Sequence, residues 1–182
     1  MPAPLESVVL VPALGAGHVV QELRIQHDPS AAAGVPPHVT LMFPFVPPQD
    51  LSAHRIGALE RLIGRAKAFD FTLTRMSEFE QGVVYLVPQP DGRFVSLTRE
   101  IGQHFGLLPF RGEFGEDPVV HLTVAARASP ADRRRIIDRL NPELPISLVA
   151  VEAWLMVGSN AGGWNVVRKM PLGATARRGG RL

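Results

Sequence analysis

The feature that most constrains this chain is a short motif that occurs twice, once in each half of its 182 residues. The first copy is His38–Leu41 (His-Val-Thr-Leu), and the second is His121–Val124 (His-Leu-Thr-Val). Both copies lie in runs typical of β-strands, in which alternate side chains point to opposite faces. The histidine and the threonine of each copy are therefore expected on one face, with the apolar residues buried behind them. Two such strands facing each other would surround one cleft with two imidazoles and two hydroxyls.

Composition and charge exclude several classes of function. The chain has no cysteine, which excludes disulfides, thiolate zinc sites and cysteine nucleophiles. The net charge is only +2, and several arginines lie close to the C-terminus, so bulk electrostatic binding of nucleic acid is not indicated. No apolar run is long enough to span a membrane, and the N-terminus lacks the basic region of a secretory signal. We expect a cytoplasmic protein that does not associate with a membrane.

The order of predicted elements repeats around the two motifs. After a first strand over residues 5–12, the chain reads helix, histidine strand, helix and hairpin, and then the same order again. This order predicts an α+β fold of two pseudo-symmetric lobes, each a mostly antiparallel sheet with helices on the outside. One histidine strand per lobe would face a central cleft. We expect a single bilobal domain over residues 1–171, with lobes over 13–90 and 91–171 and strand 5–12 added, followed by a flexible basic tail over 172–182.

Local signals place individual elements. Helices are predicted over residues 50–68 and 93–105, and Ser129-Pro130-Ala131-Asp132 predicts the start of another. Residues 146–157 are expected as one strand that forms the second hairpin with residues 164–170. The glycine pair in Gly15-Ala16-Gly17 leaves a dinucleotide-binding loop as an alternative, but Val20 stands where a third glycine belongs.

The paired motifs resemble those of the 2H phosphoesterase superfamily, and the chain looks most like its branch of 2′-5′ RNA ligase-like proteins and cyclic phosphodiesterases. The resemblance covers about residues 5–170 and includes Pro36-Pro37 and Phe43-Pro44-Phe45 on either side of the first motif. It implies a bilobal fold with both motifs facing a cleft. It also implies action without a metal on 2′,3′-cyclic phosphates or 2′-5′ phosphodiester linkages. Members on the RNA-ligase side tend to carry an arginine soon after the second motif, a region that Ala126 and Arg127 occupy here.

The residue types of the two motifs agree with that chemistry. Opening a cyclic phosphate needs a base that activates water and an acid that protonates the departing ribose oxygen. His38 and His121 are the candidate catalytic residues, because an unperturbed imidazole can take either role near neutral pH. Thr40 and Thr123 are candidate donors to the phosphoryl oxygens. Arg127 is expected on the same face as His121, where it could add a bidentate phosphate contact.

Structural readings of the same residues remain open. A histidine in an apolar strand is often a core residue, and threonine is a common strand former. Tyr85, Phe45 and Phe114 are candidates for stacking on a nucleobase, with core packing as the alternative. No histidine pair has helical metal-ligand spacing and no acid lies within the motifs, so we expect neither a metal nor another cofactor.

The sequence therefore predicts a metal-independent phosphoesterase that hydrolyses the 2′,3′-cyclic phosphate of a nucleotide or RNA end. Three alternatives stay open. The first is 2′-5′ RNA ligase or 2′-5′ phosphodiesterase activity, and the second is a nucleotide-sugar or ADP-ribose derivative as the substrate. The third is a non-catalytic RNA-binding protein with a relict site. The expected partner is a nucleotide or RNA end carrying a cyclic phosphate or a 2′-5′ linkage, and the chain is expected to be a monomer.

Overall fold

Two four-stranded antiparallel sheets form the framework of the protein in a computed structural model that describes residues 4–173. The strands are β1 (Glu6–Pro12), β2 (His38–Met42), β3 (Phe69–Glu78), β4 (Val84–Gln89), β5 (Leu122–Ala125), β6 (Ile146–Ala150), β7 (Glu152–Ser159) and β8 (Gly163–Pro171). The helices are α1 (Gly17–His27), α2 (Pro29–Ala32), α3 (Ala53–Arg65), α4 (Gly92–Phe105) and α5 (Pro130–Leu140). The strand orders are β2-β1-β7-β8 in the first sheet and β5-β4-β3-β6 in the second. The predicted α+β class with two antiparallel sheets is confirmed.

Capping residues fix the ends of the helices. The Ser129 hydroxyl accepts a hydrogen bond from the Asp132 N–H at 3.1 Å, and Pro130 occupies the first position of α5, as predicted. Ser52 caps α3 in the same way, so this helix begins and ends inside the predicted range 50–68. Helix α4 ends at Gly106, which adopts the left-handed conformation with φ at 67°.

The hydrophobic core decides which face of each histidine strand is buried. Val39 and Leu41 in β2, and Leu122 and Val124 in β5, are at most 1% exposed and belong to one continuous core with the helices. The histidine and threonine of each motif are only half-buried. The alternation predicted from the sequence therefore holds in both copies, and the polar residues lie on the face away from the core.

Strand pairing corrects the expected division into lobes over 13–90 and 91–171. The hairpin β3–β4 comes from the first half of the chain, but β4 pairs with β5, which follows His121. The hairpin β7–β8 comes from the second half, but β7 pairs with β1, which also pairs with β2. Each half thus supplies its hairpin to the sheet that contains the other half's histidine motif. Hydrophobic alternation fixes the face that a strand buries but not its neighbour in the sheet, so the local pattern could not predict this exchange.

The prediction of a single strand over residues 146–157 is also wrong. It is two strands, β6 and β7, which belong to different sheets and are separated at Val151. The Val151 carbonyl accepts a hydrogen bond from the Leu172 N–H at 2.9 Å, and the Gly173 N–H donates to the Ala66 carbonyl at 2.6 Å. The first two residues of the expected tail are therefore held against the fold, whereas residues 174–182 lie outside the described residues. Within residues 4–173, no helix combines the length and the hydrophobicity needed to cross a bilayer.

Candidate active site

The His38 ring is oriented by the backbone just before its own strand. Its Nδ1 lies 2.8 Å from the Pro36 carbonyl oxygen. A carbonyl oxygen can only accept a hydrogen bond, so Nδ1 must carry a proton and donate it. In the neutral ring this leaves the lone pair on Nε2, which is then the nitrogen available for proton transfer.

The His121 ring is held by an equivalent contact in the other half of the chain. Its Nδ1 lies 2.7 Å from the carbonyl oxygen of Val119, again two residues earlier. His121 itself stands one residue before β5, so it lies at the strand's entrance rather than within it. Phe79 and Tyr85 pack around the ring, with centroid distances of 5.2 and 5.4 Å from it. Both histidines therefore present Nε2 as the free nitrogen.

The two motifs meet between the sheets. Thr40 and His121 line the same pocket, and Cα atoms of β2 approach those of β5 to within 8 Å. The charge of His121 also contributes to lowering the pKa of His38, as expected for two rings that lie near each other. The fold thus brings the two copies of the motif, 38–41 and 121–124, to one location.

The surroundings of the two histidines shift their pKa values for partly different reasons. Burial, the largest cause, together with the positive charge of Arg24 lowers the pKa of His38 to about 4. The hydrogen bond to the Pro36 carbonyl and the charge of Asp28 oppose this shift. Burial also lowers the pKa of His121, and its hydrogen bond to the Val119 carbonyl opposes the effect. Both rings are therefore predominantly neutral at pH 7 in the free protein.

Arg24 is a residue at this site that the sequence analysis did not identify. Its side chain is completely buried, and its Nε donates to the Thr123 carbonyl at 3.0 Å. Its Nη2 donates to the Asp28 carboxylate at 2.8 Å. In the sequence, Arg24 and Asp28 are four residues apart at the end of a helix, a spacing typical of an exposed ion pair. Only the packing of α1 against β5 reveals that this pair is buried.

The structure removes the geometric support for Arg127 as a phosphate ligand. Strand β5 ends at Ala125, and residues 126–127 form a bend in which the Ala126 N–H donates to the His27 carbonyl. The alternation that would carry Arg127 onto the face of His121 therefore stops before it, and its side chain is exposed. Its role as a phosphate ligand stays a prediction.

The three aromatic candidates have different surroundings. Phe45 is 3% exposed and packs edge-on against Phe105 at 4.9 Å, so it is a core residue and its prediction as a stacking platform is wrong. Tyr85 is also buried, and it stacks on Phe79 beside His121. Phe114 is 57% exposed and remains accessible to a ligand.

A further aromatic residue, which the sequence did not single out, lines the pocket shared by Thr40 and His121. Phe110 contacts Phe114 edge-on at 5.6 Å, and its N–H donates to the Phe43 carbonyl at 2.5 Å. Phe110 and Arg111 both adopt left-handed backbone conformations, with φ at 52° and 56°, which are uncommon for residues other than glycine. Phe110 and Phe114 together form an accessible aromatic surface at the edge of the pocket.

The carboxylates nearest to the site are already engaged by arginines. Asp28 is bonded to Arg24, and Asp117, which lines the pocket, is bonded to Arg99 at 2.7 Å. Within residues 4–173, no group of three or more histidines and acidic residues lies close enough to hold a metal ion.

Comparison with known families identifies the superfamily of this chain. A sequence model of the 2′-5′ RNA ligase superfamily matches residues 11–162. The chain belongs to this superfamily, and the resemblance to 2H phosphoesterases inferred from the motifs is confirmed.

Relatives in bacilli carry phosphoesterase names. A "putative phosphoesterase" of Bacillus licheniformis is 25% identical over 170 residues, which cover 92% of this chain and 98% of that protein. A protein of the same name from Bacillus cytotoxicus is 29% identical over 120 residues, covering 65% of this chain and 67% of the relative. The likeness to the first relative extends over nearly the full length of both chains.

Solved structures share the fold at low sequence identity. Escherichia coli LigT complexed with 3′-AMP is 20% identical with a TM-score of 0.59, and the match covers 93% of this chain and 99% of LigT. TT0787 of Thermus thermophilus is 17% identical with a TM-score of 0.57, covering 92% and 98% of the two chains. At these identities the matches establish the common fold.

Proposed function

We propose that this protein is a phosphoesterase that opens 2′,3′-cyclic phosphates of nucleotides or RNA ends without a metal. The observation that carries the proposal is the equivalence of the two histidines. Each Nδ1 is bonded to the carbonyl of the residue two positions earlier, which leaves each Nε2 free. His121 of the second motif and Thr40 of the first motif line a single pocket. Two free imidazole nitrogens, one from each of the two motifs that contribute to this pocket, fit a reaction that needs one proton acceptor and one proton donor.

The reaction can be written with each proton accounted for. His38 Nε2 takes a proton from a water molecule as the water oxygen attacks phosphorus. The bond from phosphorus to one ribose oxygen breaks, and His121 Nε2 gives its proton to that leaving oxygen. One water is consumed and a phosphomonoester is formed, after which the two histidines exchange protons with solvent to return to their starting states.

The assignment of roles follows from the two environments. His38, with its pKa lowered to about 4, is unprotonated over the physiological range and suits the base. His121 lacks the arginine charge as a cause of its shift, and the anionic phosphate of a bound substrate raises the pKa of a nearby imidazole. His121 is therefore the better acid.

The threonine hydroxyls are proposed as donors to the phosphoryl oxygens. We expect Thr40→Val and Thr123→Val each to weaken catalysis by about 1–3 kcal/mol, the range for a hydrogen bond to a charged group. The measurement is kcat/KM on a 2′,3′-cyclic nucleotide. Thr40→Ser and Thr123→Ser are the matched controls because they retain a hydroxyl, and they should keep most of the activity. Loss of activity in the serine variants together with full activity in the valine variants would show that the methyl group matters rather than the hydroxyl.

The accessible aromatic surface is proposed to contact the nucleobase. Phe110 lines the pocket and Phe114 is exposed beside it, so a base attached to a bound ribose could stack there. Such stacking does not depend on the identity of the base, because every base has an aromatic face. The surface therefore supports affinity for a nucleotide without selecting one base.

The name of the superfamily makes 2′-5′ ligation the second candidate. Joining a cyclic phosphate to a 5′-hydroxyl replaces water by an alcohol, and the same two histidines would serve as base and acid. Escherichia coli LigT crystallises with 3′-AMP and with phosphate, which supports a nucleotide as the ligand of this fold. The choice between water and an alcohol as the nucleophile has to be tested directly.

A substrate screen in excess chelator tests the proposal. We expect turnover of 2′,3′-cyclic nucleotides at a rate unchanged by the chelator, because two histidines supply the proton transfers and two hydroxyls the electrophilic donors. The 2′-5′ and 3′-5′ dinucleotides test linkage cleavage, and a cyclic ribose phosphate without a base tests the aromatic contact through its higher KM. Loss of turnover in chelator, restored by zinc, manganese or magnesium, would contradict the metal-independent mechanism.

A further inference from the structure

Arg24 is a completely buried arginine whose bonds reach three separate parts of the chain. Its Nε donates to the Thr123 carbonyl at 3.0 Å and its Nη1 to the Val35 carbonyl at 3.1 Å. Its Nη2 donates to Asp28 Oδ2 at 2.8 Å and lies 3.4 Å from the Ser30 hydroxyl. Charged side chains are almost never fully buried without partners, because desolvation of the charge is costly. The position of this guanidinium therefore requires an explanation.

The bonds of Arg24 connect the two histidine motifs. Thr123 belongs to the second motif. Val35 immediately precedes Pro36, whose carbonyl orients the His38 ring of the first motif. One rigid guanidinium thus bonds both to the strand of the second motif and to the segment that orients His38. The strand of the second motif, β5, and the strand that follows this segment, β2, belong to different sheets. The planar fork of arginine suits such a junction better than the flexible ammonium of lysine.

We propose that Arg24 is a positioning residue for the reaction proposed above, on which this inference rests. Its guanidinium holds the two motifs at a fixed separation and places a permanent positive charge beside His38, which favours the unprotonated base. Arg24 is buried and touches no substrate, so it acts only through His38 and Thr123.

The charges that face His38 make this proposal testable in two directions. They are Arg24 from α1, Asp28 from the start of α2, and His121 from the entrance to β5. Burial is the largest cause that lowers the pKa of His38, Arg24 adds to it, and Asp28 opposes it. Removing the arginine charge and removing the aspartate charge must therefore move the pKa of His38 in opposite directions, an outcome that a purely structural role does not produce.

The experiment compares three variants of the full chain. Arg24→Lys keeps the charge and loses the fork, and Asp28→Asn removes the opposing charge. The double change Arg24→Met with Asp28→Asn removes both charges, so that no carboxylate is left buried without a partner. Arg139→Met is the matched control. Arg139 also forms an ion pair with α1, through Glu22, but its side chain is exposed on the surface. The readouts are kcat, KM, and the titration of the His38 ring by NMR.

We expect Arg24→Lys to lower kcat by about 10²-fold, the cost typical of misplacing a catalytic group by about 1 Å, with little change in KM. Asp28→Asn should lower the pKa of His38 further. The double variant should raise it from about 4 toward the unperturbed value near 6.5. Arg139→Met should match the wild type in all three readouts.

The proposal is overturned if folded Arg24→Lys keeps the wild-type kcat. It is equally overturned if Asp28→Asn raises the pKa of His38, or if the folded double variant leaves that pKa unchanged. Should the double variant fail to fold, the lysine and asparagine variants decide the question. The NMR titration needs no turnover, so a wild-type protein that is inactive in the substrate screen would refute the proposed function while the effect of Arg24 on His38 was still measured.

Discussion

Alanine in place of His38 or His121 is expected to lower kcat on a 2′,3′-cyclic nucleotide by about 10²–10⁴-fold. Each change removes one of the two groups that move a proton in the proposed reaction. Because the two histidines act as a unit, the double variant should be little worse than the more damaged single variant. The loss of kcat is measured by steady-state kinetics on the two single variants and the double variant. Circular dichroism shows that each variant is folded.

His54→Ala is the matched control for these variants. His54 lies in the first turn of α3 with an exposed side chain, so its loss should leave kcat unchanged. Near-complete activity in folded His38→Ala or His121→Ala would show that the two-histidine mechanism does not apply to this protein.

The kcat/KM of the wild-type protein is expected to have a bell-shaped pH profile whose maximum lies on the acid side of neutral. This parameter reports the free enzyme. The base limb rises as His38 loses its proton at a pKa of about 4, and the acid limb falls as His121 loses its proton at a pKa below its ordinary value. The bell for kcat should lie at higher pH, because the anionic phosphate of the bound substrate raises the pKa of both rings.

The residual activities of the single variants identify which histidine is the base. A bell by itself cannot do so, because exchanging the two roles gives the same curve. In His38→Ala, only His121 still titrates, and residual kcat/KM should fall as the pH rises if His121 is the acid. In His121→Ala, it should rise through a pH of about 4 and then level off. The opposite slopes would mean that His121 is the base and His38 the acid.

The two histidines share the same backbone contact but differ in the charge that acts on them, and these two features have separate consequences. Equivalent bonds from Nδ1 to a backbone carbonyl give both rings the same tautomer, so either nitrogen Nε2 could accept or donate a proton. Arg24 then breaks this equivalence, because its charge acts on His38 and is not a cause of the shift at His121. Catalytic sites commonly separate the pKa values of two similar groups in this way and so assign the acid and the base.

The elements around the motifs were predictable because their signals are local. Ser129 and Pro130 at the start of α5, and the alternation of polar and apolar residues in β2 and β5, depend only on neighbours in the chain. Arg127 shows the limit of such reasoning. Its placement assumed that alternation continued past Ala125, but the strand ends there as the chain turns toward α5.

By itself the sequence determined the superfamily, the α+β class, and the polar and buried faces of the two histidine motifs. The superfamily follows from the resemblance of the paired motifs to those of a known family. The class and the two faces follow from the residue types and from the two-residue period of a strand, which are local properties of short segments. Tertiary structure alone decided that the two hairpins exchange sheets, that Phe45 lies in the core, and that Arg24 is buried between the motifs. Each of these depends on which distant segments pack together, for example Thr123 against a helix almost a hundred residues earlier. A local pattern holds no information about such a partner, so only the folded chain could place an arginine beside the proposed base.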